Sequence, residues 1–62
     1  MDGTVSCYSS EMETGIIIAA ADKRYVFSRA EWSSTTIEPE AGLQVIFEPA
    51  GSCARKIMIA GT

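Results

Sequence analysis

The sequence has no histidine, two cysteines, two prolines and five basic residues among its 62 positions. Each scarcity excludes something. Without histidine, the side chain that most often moves protons and binds metals near neutral pH is missing. Cys7 and Cys53 alone are too few ligands for a structural metal site. Lys23, Arg24, Arg29, Arg55 and Lys56 are outnumbered by eight acidic residues, giving a net charge of −3. Nucleic-acid binders usually present a basic patch, because neutralising phosphates drives their affinity. The longest apolar run, residues 16–21, is far too short to cross a bilayer, so no direct membrane insertion is expected. Met1-Asp2-Gly3 lacks the basic segment and apolar core of a secretory signal. The chain therefore reads as cytoplasmic, with both thiols reduced. Two small apolar core or surface side chains are the favoured reading of the cysteines, with a Cys7–Cys53 disulfide the lesser one.

What is present fits one domain, residues 1–62. So short a chain buries a modest share of its surface and leaves little room for an enzyme cleft beside its core. Nothing repeats at the three- and four-residue spacing of an amphipathic helix. Instead, β-branched and aromatic residues gather in short runs between turn signals. The runs predict strands near residues 3–9, 15–20, 24–28, 43–48 and 54–60. The second and third form a hairpin around Asp22-Lys23, and Pro49-Ala50-Gly51-Ser52 is a turn between the last two. Ala30-Glu31-Trp32 reads as one helical turn, followed by a polar connection containing Pro39. Period-two alternation puts Val5, Ile17, Tyr25, Phe27, Val45, Phe47 and Ile59 in the core.

Five short strands must close or nearly close to protect their edges. The longest connection joins the third strand to the fourth, where a Greek-key barrel of the OB type crosses over. An SH3-like barrel also has five strands, and strand lengths alone do not separate the two. The expected fold is all-β, a small five-stranded antiparallel Greek-key barrel.

The order of landmarks resembles the bacterial cold-shock family over nearly the whole chain. Asp2-Gly3-Thr4-Val5 is similar to the family's Gly-x-Val start. Gly15-Ile16-Ile17 falls at the end of its first RNA-binding motif, Lys-Gly-Phe-Gly-Phe-Ile. Tyr25-Val26-Phe27-Ser28 falls at its second, Val-Phe-Val-His-Phe. Glu40-Ala41-Gly42-Leu43-Gln44-Val45-Ile46-Phe47-Glu48 resembles Glu-Gly-x-x-Val-x-Phe-Glu. The resemblance implies an OB fold, and it implies single-strand binding through aromatics that stack on bases. Those aromatics are largely replaced. Met12 stands for the basic residue of the first motif, and Thr14 and Ile16 for its phenylalanines. Val26, Ser28 and Arg29 stand for the stacking phenylalanine, the histidine and the last aromatic of the second motif. Cys7 stands for the first-strand tryptophan, while Tyr8 stays aromatic. Tyr8-Ser9, Gly15-Ile16-Ile17, Arg24-Tyr25-Val26-Phe27 and Trp32 also resemble cold-shock-type domains at the N-terminus of some small bacterial proteins, including membrane-anchored ones.

Alternation with Tyr25 and Phe27 inside turns Val26 and Ser28 outward, and Ile17 inside turns Ile16 and Ile18 outward. Ile16, Ile18 and Val26 then form either an apolar patch for a protein partner or a second copy, or scattered surface residues covered by their neighbours. Tyr8 is either a surviving base stacker or a half-buried strand tyrosine. Trp32 is either a ligand platform or a plug at one barrel end. Arg29, Arg55 and Lys56 are either a phosphate-binding group or a solvated surface. Glu38, Glu40 and Glu48 have no partner base that would make them catalytic. No activated nucleophile or phosphate-cradling loop is present, so no enzyme and no cofactor is expected. The reading that results is a non-enzymatic, cold-shock-like OB binding module that holds a protein partner or itself through Ile16, Ile18 and Val26. The alternative is weak single-stranded RNA or DNA binding through Tyr8, Arg24, Arg29 and Lys56.

Overall fold

The computed structural model describes residues 1–33 and 37–60. Five strands form, β1 (Asp2–Ser9), β2 (Thr14–Ala19), β3 (Arg24–Ser28), β4 (Gln44–Ala50) and β5 (Cys53–Ile59). Single 3₁₀ turns at Ala20–Asp22 and Arg29–Glu31 are the only helical elements among the described residues. None is long and apolar enough to cross a membrane. The strands close into a barrel in the order β1-β2-β3-β5-β4. That order, with β4 returning to β1 and β5 against β3, is an OB arrangement and not an SH3-like one.

Four seams are antiparallel, and the β3–β5 seam is parallel. A closed ring of five strands cannot alternate direction all the way round, so the fully antiparallel barrel expected from the sequence has to contain one parallel seam. It is short. Val26 pairs with Cys53, and the Val26 N–H donates to the Ser52 carbonyl at 2.9 Å. Past the 3₁₀ turn, a parallel bridge from Trp32 to Ile57 extends the same side.

The core is Val5, Ile17, Tyr25, Phe27, Trp32, Val45, Phe47, Ala54 and Ile57. Six of these follow from alternation, but Ile59 is a correction. It is only partly buried, packed against the core from its margin, while Ala54 and Ile57 lie inside. Ile59 pairs with the buried Val45 and keeps its inward phase, but it lies at the end of β5, whereas Ala54 is inside because of a bulge in β5. Ile46 pairs with Met58 and Glu48 with Arg55, so Lys56 and Ile57 together oppose Phe47. Lys56 adopts a left-handed conformation, φ 51°. The extra residue brings Ala54 and Ile57, three apart, to the same face.

A second bulge shapes β1. Val5 pairs with Ile17 and Cys7 with Ile16, leaving Ser6 as the extra residue. Cys7 therefore points outward and Tyr8 turns back over the barrel mouth, its ring stacked on Phe27 with centroids 5.9 Å apart. Phe27 also stacks on Trp32 at 5.8 Å. Trp32 is buried and donates its indole N–H to the Ile37 carbonyl at 2.8 Å. It plugs the barrel end.

Gly15 pairs with both Tyr8 and Phe27. A Cβ placed on it would lie 2.5 Å from Phe27 Cζ and 2.6 Å from the Cys7 carbonyl oxygen. Gly15→Ala should therefore cost about 1–3 kcal/mol, as overpacking usually does. Urea unfolding checks this, and an unchanged midpoint would show that the rings are not held over the glycine.

The β2–β3 turn is strained. Ala21 and Asp22 have φ values of 61° and 57°, both in the left-handed region that a type I′ turn requires and that Ala disfavours. Ala21→Gly should stabilise the fold by roughly 1 kcal/mol. Thermal or urea unfolding would register it, and no gain would mean the turn relaxes in solution.

Candidate binding face

The outward positions of the β2–β3 hairpin form a small face with a defined register. Cys7 pairs with Ile16, Ile16 with Val26, and Val26 with Cys53, so one row of side chains crosses four strands. Thr4, Ile18 and Arg24 form the next row toward the Ala20–Asp22 turn, and Thr14 pairs with Ser28 toward the β1–β2 loop. Val26 is 44% exposed, whereas Ile16 and Ile18 are half-buried. All three lie on the outward side expected, with Val26 the most open. Val26 and Cys53 border an open groove of about 300 Å³ along the β3–β5 seam, with Glu31 and Arg55 on its rim. Ile18 borders a wider groove of about 590 Å³ with Thr4 and Ala20.

Both cysteines are free and exposed. They stand at opposite ends of the four-strand row with β2 and β3 between them, and they are not bonded to each other.

The nucleic-acid set is divided. Tyr8 and Arg29 meet at the loop end of the barrel, where the phenol lies beside the guanidinium. Arg24 sits at the other end of β3, roughly 16 Å from Arg29 at the strand rise. Lys56 occupies the β5 bulge. Its ammonium is 3.4 Å from Glu48 Oε2, and its backbone N–H donates to Glu31 Oε1 at 3.3 Å.

Carboxylates accompany most of the cations. Arg29 forms a two-pronged pair with Glu38, its second prong 3.2 Å long. Arg55 Nε lies 3.9 Å from Glu31 Oε1. The Arg29–Glu38 hydrogen bonds raise the guanidinium pKa further and lower that of the carboxyl. Among the described residues, Lys23 and Arg24 are the cations without an ion-pair partner. No group of three His, Cys, Asp or Glu side chains that could hold a metal occurs among the described residues.

A second apolar spot was only half legible in the sequence. Ile46 pairs across β4–β5 with Met58. They are 40% and 54% exposed and border a groove of about 430 Å³ with Met1. Alternation placed Ile46 outside, but the sequence does not show that Met58 stands across from it. Met12, at the tip of the β1–β2 loop, is also exposed.

No family model and no curated protein matches this sequence.

The Arg29–Glu38 pair has a measurable consequence. Because Glu38 titrates lower in the folded chain, its contribution is present above the unfolded pKa and fades as pH falls through the folded one. The pair is exposed, so the effect on stability is small. Carbon-detected NMR titration should place the Glu38 midpoint below the ordinary glutamate range and return it there in Arg29→Gln. An unmoved midpoint would mean the pair does not persist in solution.

Proposed function

We propose that the chain is a non-enzymatic, cold-shock-like OB module that binds protein surfaces through the outer side of its β2–β3 hairpin. The observation that carries this is the Cys7–Ile16–Val26–Cys53 row. An OB barrel that binds single strands uses aromatic platforms and basic side chains on its ligand face. Aliphatic side chains and thiols stand here instead. They offer burial but no flat ring on which a base can stack. Three of the five basic residues are already engaged by carboxylates of the same chain. With no histidine in the sequence and no activated nucleophile, an enzymatic role has no residues to perform it. A reducing, cytoplasmic setting keeps the two thiols free.

The runner-up is weak single-strand binding, and the proximity of Tyr8 to Arg29 is what favours it. It is the poorer reading. Arg29 is held by Glu38, and Tyr8 shows one ring face to Phe27.

Titration with single-stranded oligonucleotides should give a Kd weaker than roughly 10 μM at physiological salt, because stacking contacts worth about 1–3 kcal/mol each are missing. Ile16→Lys with Val26→Lys should leave unfolding unchanged and abolish any protein association. Sub-micromolar oligonucleotide binding that disappears in Tyr8→Ala would replace this proposal with the runner-up. Protein association untouched by the double lysine variant would place the binding surface elsewhere.

A further inference from the structure

We infer that the partner this face accepts is a second copy of the chain, docked with its hairpin antiparallel to the first about a two-fold axis lying along the Ile16–Val26 row. The inference rests on the protein-binding reading above and commits it to one occupant. What carries it is the charge at the two ends of the face. At the loop end stand Glu11 and Glu13, neither in an ion pair among the described residues. Arg29 is close by, its backbone N–H donating to the Glu13 carbonyl at 2.9 Å. Its guanidinium, however, is neutralised by Glu38. At the turn end stand Lys23 and Arg24, the two side-chain cations without an ion-pair partner among the described residues, with Asp22 on the turn and Asp2 on the neighbouring end of β1 beside them. Arg24 lies on the face itself, across from Ile18. Between the ends lies the uncharged row.

The face therefore reads acidic at the loop end, apolar along the row, and mixed at the turn end, where both free side-chain cations stand, with its ends nearly equidistant from the row. Glu13 is three positions before Ile16, and Lys23 is three before Val26 on the antiparallel strand. An axis along the row leaves each row residue against its own counterpart, Val26 on Val26 and Ile16 on Ile16. It also carries the loop end of each copy onto the turn end of the other. Glu11 and Glu13 then meet Lys23 and Arg24 twice, once on each side of the axis. That is the self-complementarity an isologous dimer needs. A parallel arrangement would set acid on acid. The apolar row alone is indifferent to register, so the charges choose it. The contact is a narrow stripe on a barrel whose extents are 28 × 26 × 18 Å. It falls at the small, transient end of protein interfaces.

The test is sedimentation or NMR diffusion from about 20 μM to about 1 mM, a range suited to a small interface, with three chains. The wild type should self-associate, several-fold more weakly when salt rises from about 0.05 to 0.5 M. Glu11→Lys with Glu13→Lys, and separately Lys23→Glu with Arg24→Glu, should each weaken it at least about tenfold by setting like charges together. Mixing the two reversed chains should restore a heterodimer, which also shows that both are folded. A wild type monomeric at the highest concentration overturns the self-pairing. So does a dimer indifferent to either reversal. Neither result touches the oligonucleotide and double-lysine tests of the broader reading, which fail on their own terms.

Discussion

Everything at the working end of this barrel depends on where the Phe27 ring sits. It is buried between Tyr8 and Trp32, with Gly15 beneath its edge. The stack ties β1, β2, β3 and the first turn of the long connection into one layer, and any side chain at position 15 would have to push the Phe27 ring or the Cys7 carbonyl aside. Once Phe27 is inside, the pleat leaves no choice for its neighbours. Val26 must face out, and so must Ile16, its cross-strand partner. The same packing that closes the barrel mouth thus puts the aliphatic row on the surface. The aliphatic face is a consequence of the core and required no separate device.

Alternation was enough to read most of this from the sequence. Tyr25 and Phe27, Val45 and Phe47, and Val5 declare their phase because the largest apolar residues recur at every second position or stand between polar ones. Ile17, by contrast, sits in a run of three isoleucines whose phase only its pairing with Val5 and Tyr25 fixes. What alternation misses is an inserted residue. Ser6 and Lys56 are polar, look like ordinary outward positions, and leave no local signal that they are bulges. Each offsets the two parts of its strand by one position, which is why Tyr8 turned inward and why Ala54, and not Arg55, lies in the core with Ile57. The ion pairs were equally hidden. Arg29 with Glu38 and Arg55 with Glu31 meet only because the chain crosses over and the barrel closes. In sequence, Arg55 and Lys56 look like a basic pair. In the fold, each faces a different carboxylate.

That pairing changes what the net charge of the chain means. Removing the three ion pairs leaves two cations against five carboxylates, Asp2, Glu11, Glu13, Asp22 and Glu40. A phosphate backbone approaching this surface meets an excess of negative charge that no local basic patch relieves. The two remaining cations lie together, at one end of the face that carries the exposed Val26 and the half-buried Ile16 and Ile18. Charge on this molecule is therefore better suited to orienting a partner than to attracting a polyanion.

Closure of the barrel constrains how such a partner can attach. An open sheet associates by adding a strand, which makes backbone hydrogen bonds and tolerates many sequences. Here β1 to β5 each have neighbours on both sides, so strand addition is not open to most of the surface. Contact must be made by side chains on a convex face. Such contact is limited in area, and its apolar part discriminates poorly between partners and registers. Specificity then has to come from charges at the margin, because unlike charges attract and misplaced like charges are costly. The short β1–β2 loop and the tight β2–β3 turn bring charged side chains to the two ends of this face along the strand direction. The sequence puts acids in the first and bases beside the second. The left-handed Ala21 and Asp22 let the chain reverse within the short connection between Ala19 and Arg24, which holds Lys23 and Arg24 close against the aliphatic row instead of on a longer loop.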